Sequence, residues 1–173
     1  HSFSSHEPAT TVIYPLSLHD ALPISANRVG AASHRVVRER LAGYHDALQK
    51  AGIKPDDVIH IECDNQSEHS AKLTVEMLEK HPEIDGILAM SDVIAIGAID
   101  AAHKVGRKVP DDLKVIGIDG IVAGERTDPP LTTMCQDSVE KGRLAAEMAL
   151  SDEGGKAITL STKLLLRGST QSR

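Results

Sequence analysis

Five side chains in this 173-residue sequence have the types and placement to hold a polar small molecule. Arg40 flanks the apolar side of a predicted helix. Asn65, Ser91, Asp119 and Gln136 each fall at or just past the end of a predicted strand. A guanidinium, a carboxylate, a hydroxyl and two amides can fix hydroxyl or anionic groups without any covalent step. Each residue also has a plainer role open to it. Ser91 can be a helix cap, Asp119 before Gly120 a turn residue, Arg40 a solvated helix charge, and Gln136 a surface residue.

Motifs for bond-making chemistry are missing. His60, Glu62 and Cys63 form H-x-E-C, but a zinc deaminase also needs a later P-C-x-x-C, and only Cys135 follows. Neither a P-loop nor a G-x-G-x-x-G occurs, so no sequence motif for cradling phosphates is present. A G-x-S-x-G nucleophile elbow is likewise absent. A phosphoacceptor reading of Asp119 wants an acidic pair after an earlier strand, whereas Asp111 and Asp112 precede theirs. The reading is therefore non-covalent binding, with no cofactor, no metal and no catalytic residue.

The elements that must position these side chains alternate along the chain. Val37, Leu41, Tyr44 and Leu48 recur at helical spacing in 33–52, and Gly52 stops that helix. DVIHIEC (57–63) alternates as a strand, and 67–81 is helical until Pro82. DGILAM (85–90) is a short apolar strand; the helix 91–106 follows, with Ser91 placed to cap it and Gly106 to end it. LKVIGID (113–119) is a strand, 120–131 a loop broken by two prolines, TTMCQD (132–137) a strand, 138–152 a helix, and STKLLLRGS (161–169) a last strand. Short strands separated by helices predict a three-layer α/β fold, a largely parallel sheet with helices on both faces. In such sheets ligands sit at the carboxyl ends of the strands, where Asp64, Asn65, Ser91, Asp92, Asp119, Gln136 and Asp137 fall. Asp92 itself reads as a charge favourable to the first turn of its helix.

Bulk numbers narrow the class further. Acidic residues outnumber basic ones, 25 to 19, for a net charge of −6. That is not the basic stripe of a stand-alone nucleic-acid binder. Cys63 and Cys135 lack the spacing of a zinc site or redox pair and read as buried reduced thiols. No apolar run approaches the roughly 18 residues of a membrane span.

Residues 1–25 read differently from the rest. Residues 9–25, ATTVIYPLSLHDALPIS, have neither helical nor strand periodicity and carry two prolines. They resemble one reading frame of a widely used sequencing adapter, differing at Val12 and Pro15. The expectation is an artefactual, unstructured leader over 1–25, with the protein proper starting near Ala26 and its first strand surviving only as ANRVG.

Taken together, RERLAGYHDALQKAG, IDGILAMSDVIAIGAIDAAHKVGRKVPDDLKVIGIDG, TDPPLTTMCQDSVEKGRLAAEMAL and LLLRGST resemble the LacI/GalR family of bacterial transcription regulators over about residues 28–170. The resemblance implies the carboxy-terminal half of an effector-binding region. That region has a periplasmic-binding-protein-like fold, incomplete here, with 26–173 a partial domain and helix 138–152 belonging to the other lobe. It implies a sugar-like effector held by Arg40 and Asp119, with Ser91 standing where the family often has asparagine, Asn65 at a variable pocket position and Gln136 at the crossover between lobes. It also implies a cytoplasmic homodimer with Ile96, Asp100, Val122 and Ala123 in its interface. Operator DNA would be bound only through a head domain that this chain lacks. A fragment of this kind is expected to be marginally stable and to bind neither effector nor operator tightly. The alternatives are a periplasmic sugar-binding protein of a transporter and, more remotely, a doubly wound enzyme.

Overall fold

The computed structural model describes residues 21–26, 30–53, 59, 61–63, 65–151 and 157–171, and side chains from residue 36 onward. Its six-stranded sheet has the order β2-β1-β3-β4-β5-β6. The strands are β1 (Ala21–Ala26), β2 (Ile61–Cys63), β3 (Gly86–Ala89), β4 (Lys114–Asp119), β5 (Thr132–Gln136) and β6 (Thr162–Leu165). Among the described residues four α-helices accompany them: α1 (Gly30–Lys50), α2 (Ser67–Lys80), α3 (Asp92–Lys104) and α4 (Ser138–Leu150). All neighbouring pairs are parallel except β5 with β6.

Strand order and handedness together assign the helices to faces. The chain moves one way from β1 to β2 and the other way from β2 to β3 and from β3 to β4. Right-handed crossovers then put α1 on one face and α2 with α3 on the opposite one. This is the expected three-layer arrangement with an open, largely parallel sheet.

α3 explains its own composition. Ile94, Ala95, Ala98, Ile99, Ala101 and Ala102 are all buried because the helix is covered by α2 on one side and by the sheet on another. A helix buried on two sides has no need of a single apolar stripe. Contact with α2 is close at Gly97, where a Cβ would meet Ser70 Oγ at 2.1 Å and the Ser67 carbonyl oxygen at 2.2 Å. Gly106, at φ +76, ends the α3 segment, with the Arg107 amide donating back to the Ala102 carbonyl at 2.9 Å. Gly52 does the same for α1 at φ +79.

Two expectations need correction. Residues 21–25 were expected in an unstructured leader, yet Ala21–Ala26 forms β1 between β2 and β3. Pairing runs from Ala21 with Gly86 to Ala26 with Cys63, several residues earlier than ANRVG would place the strand. A central strand is held by backbone bonds to both neighbours, which need no side-chain alternation. Pro23, lacking an N–H, is the residue that argues against a central strand from sequence. Residues 1–20 of that leader and 27–29 of ANRVG lie outside the described residues. The second correction is in 120–131, which is not all loop: Val122–Arg126 winds into a 3₁₀ turn.

The closing residues clip the sheet together. Ser169 is fully buried; its hydroxyl accepts from the Thr132 amide at 2.8 Å and donates to the Val115 carbonyl at 2.6 Å. Thr132 Oγ1 in turn donates to the Arg167 carbonyl, 3.1 Å away. Thus R-G-S-T holds the starts of β4 and β5 side by side.

α4 is the exception to this packing. None of its residues is buried, and Val139 and Leu150 are 84% and 89% exposed.

Candidate functional site

The carboxyl edge of the parallel strands gathers most of the polar residues singled out above. α1 presents Arg40, whose Nη2 lies 3.2 Å from Asp119 Oδ1. Its Nη1 donates to the carbonyl of Met90, at the end of β3. The helix thus carries a fixed cation to the ends of β3 and β4, as its place beside the apolar side of α1 allowed.

Asp119 ends β4 and is the centre of the cluster. It also accepts from Gln136 Nε2 at 3.0 Å, at the end of β5. Gln136 Oε1 accepts from Lys141 on α4 at 2.6 Å, so a polar chain runs from α1 through β4 and β5 to α4. The Asp119 side chain is one-third exposed. Burial raises its pKa above the ordinary carboxylate value, Arg40 draws it partly back, and the nearby Asp92 charge adds to the rise.

The backbone at Asp119 is unusual. Its φ is +132, and Gly120 follows at φ +81. A non-glycine residue in that region costs about 1–3 kcal/mol and persists only where its surroundings impose it. Gly120 has no alternative, because a Cβ there would meet Cys135 Sγ at 2.4 Å.

Ser91 and Asn65 form a second pair. Ser91 caps α3, accepting weakly from the Ile94 amide at 3.4 Å, and its hydroxyl donates to Asn65 Oδ1 at 2.6 Å. The capping role is therefore present, and the same hydroxyl orients an exposed amide at the end of β2. Asp64 and His60 lie outside the described residues.

Asp92 is what sequence reasoning undervalued. It is fully buried, and its carboxylate accepts from the Gly120 amide at 2.7 Å, the Ile121 amide at 2.8 Å and the Thr133 hydroxyl at 2.6 Å. A charge suited to a helix's first turn explains none of these bonds. The sequence signal that could have found it is the small residue opposite: a Cβ on Gly117 would meet Asp92 Oδ1 at 2.3 Å.

The residues singled out for a dimer contact stand apart from this edge. Ile96 packs partly on the core, while Asp100, Val122 and Ala123 are exposed. The 3₁₀ turn carrying Val122 touches α3, so these residues share one region of the surface. Cys63 is buried and Cys135 half-buried, and no disulfide joins them. Among the described residues no three His, Cys, Asp or Glu side chains stand together to hold a metal ion, and no helix is long and apolar enough to cross a membrane.

An open, largely parallel α/β sheet of this kind has known counterparts. The family of periplasmic binding protein-like domains matches residues 26–170. The chain belongs to that family. It is 33% identical to the ribose operon repressor of Halalkalibacterium halodurans over 77% of this chain and 41% of the relative. The chain thus spans about two-fifths of the length of that curated relative. Among solved structures, a LacI family transcriptional regulator from Arthrobacter sp. FB24 in complex with lactose superimposes with a TM-score of 0.72 at 33% identity, covering 88% of this chain and 58% of that one. The lac repressor dimer bound to operator superimposes with a TM-score of 0.75 at 28% identity, covering 90% of this chain and 55% of that one. Its relatives are LacI-family regulators, and the shared region is their effector-binding domain.

Proposed function

We propose that these residues form one side of the effector cleft of a sugar-responsive transcription regulator, and that Arg40, Asp119, Gln136, Ser91 and Asn65 contact the effector. The observation that carries this is the Arg40–Asp119–Gln136 cluster at the carboxyl ends of β3, β4 and β5, a half-open site with donors and an acceptor but no nucleophile or acid–base pair. Hydroxyl-rich ligands suit it, since Asp119 can accept while Arg40 and Gln136 donate. Binding, not turnover, is the chemistry that such a set performs.

The rest of the regulator follows from the same reading. The exposed face of α4, with Val139 and Leu150, is the surface that a second lobe would cover. The patch of Ile96, Asp100, Val122 and Ala123 is the contact of a homodimer. The protein acts in the cytoplasm, and operator DNA is bound by a head domain outside these residues. Effector binding would close the lobes and reposition the heads, and it shifts that equilibrium only by its differential affinity for the two states.

Titration calorimetry of the full-length regulator against sugars, followed by assay for their chemical conversion, tests the proposal. Saturable binding with the sugar recovered unchanged is expected; conversion of the sugar would overturn the non-catalytic reading.

A further inference from the structure

Asp92 lies beneath the open edge and sets the geometry of both residues after β4. Its Oδ2 receives two successive amides, those of Gly120 and Ile121, at 2.7 and 2.8 Å. Its Oδ1 receives the Thr133 hydroxyl at 2.6 Å, and that same hydroxyl lies 3.2 Å from the Gly120 amide. The carboxylate is fully buried, seated where Gly117 leaves room for it. No cation pairs with it among the described residues, so its stabilisation comes from three donors. Two of these belong to the turn that holds Asp119 at φ +132.

A buried carboxylate receiving backbone amides is a strong, directional clamp. A strained residue keeps its conformation only when neighbours impose it, and here the fixed Asp92 carboxylate holds the amides of the two residues that follow Asp119. We propose that Asp92 is a positioning residue for effector binding: by clamping the Gly120–Ile121 turn between α3 and β5, it aims the Asp119 carboxylate at the ligand. This rests on the assignment of Asp119 as an effector contact. Thr133 is the clamp's second arm, and Gly117 is the space it needs.

The test separates the clamp from the ligand reading. Asp92→Asn keeps an oxygen for the turn amides, and the Thr133 hydroxyl can rotate to accept from the new amide; Asp92→Ala removes every acceptor. In the 173-residue chain, hydrogen exchange at the Gly120 and Ile121 amides should stay slow in Asp92→Asn. It should become fast in Asp92→Ala, while amides of the β3–β4 ladder keep their protection. In the full-length regulator, with ribose and lactose as probes, Asp92→Ala should weaken sugar binding by about tenfold or more. Asp92→Asn should restore affinity to near the unaltered value, and operator affinity should not move in either.

Where Asp92→Ala fails to fold, Thr133→Val against Thr133→Ser makes the same comparison at the other arm, with the loss expected only in valine. Unchanged turn exchange and unchanged sugar affinity in Asp92→Ala, or in Thr133→Val, would overturn the inference. Loss of binding in Asp119→Ala beside full binding in Asp92→Ala would sink the clamp alone. Full binding in Asp119→Ala would sink the effector assignment on which the clamp's purpose depends.

Discussion

Arg40 and Asp119 are 79 positions apart in sequence and meet at 3.2 Å, joining α1 to the end of β4. Each is only partly exposed, so the pair is less screened than a surface ion pair. Burial nevertheless outweighs Arg40 and leaves the Asp119 pKa above its ordinary value of 3.8.

A group whose folded pKa is raised holds its proton more tightly in the folded state. Its contribution to stability is therefore complete below 3.8 and is lost as pH rises through the folded value. Asp119→Asn, which cannot ionise, should lose less stability than the unaltered chain across that interval. Urea midpoints measured on either side of it check this, and parallel changes in both proteins would refute it.

Tyr44 offers an independent pH test. Burial of this α1 side chain pushes its phenol from 10.0 up to about 12. By the same linkage, its favourable contribution holds below 10.0 and disappears as pH rises through about 12. Phenolate absorbance of Tyr44, taken as the difference from a Tyr44→Phe variant that keeps Tyr14, should therefore appear near pH 12 and not near 10, and Tyr44→Phe should keep the fold to higher pH. A Tyr44 that ionises near 10.0 with the fold intact would show that the ring is not buried.

The α2–α3 contact predicts a sharp contrast between two glycines. Gly97→Ala puts a methyl group 2.2 Å from the Ser67 carbonyl oxygen, and α2 must move. The expected loss is about 1–3 kcal/mol or more. Gly142→Ala, on exposed α4 with nothing within 4 Å, should gain about 0.5–1 kcal/mol from helix propensity. Chemical denaturation of the two variants decides it; similar effects in both would mean that the helices do not approach so closely.

Ser169→Ala tests the clip at the end of the chain. Loss of its hydroxyl leaves the buried Thr132 amide and Val115 carbonyl without that partner. About 1–3 kcal/mol of stability should go with it. Unchanged melting would mean that the Ser169 clip adds nothing to the β4–β5 ladder.

Much of this arrangement was legible from residue types in order. Periodicity placed α1, α2 and α3, and apolar runs placed β3 and β4, because each element carries its own pattern and its own stop at Gly52, Pro82 or Gly106. Arg40 and Asp119 were readable as site candidates because one flanks an apolar helix side and the other ends a strand. Gln136 gave almost no local signal; only the β4–β5 register, Asp119 opposite Cys135, brings its amide to the carboxylate. Asp92 was misjudged because its partners are backbone amides 28 and 29 positions away, which no local pattern encodes. β1 was missed for a similar reason: its place is fixed by backbone pairing with β2 and β3, while Pro23 speaks against it.

On the proposed function, Arg40 and Asp119 contact the effector and operator DNA is bound elsewhere in the full-length regulator. The most direct test is operator binding by the full-length regulator, followed by fluorescence anisotropy as sugar is added, with Arg40→Ala and Asp119→Ala beside the unaltered protein. All three should bind operator with the same affinity, and only the unaltered protein should respond to sugar. An undiminished sugar response in both variants would contradict that assignment.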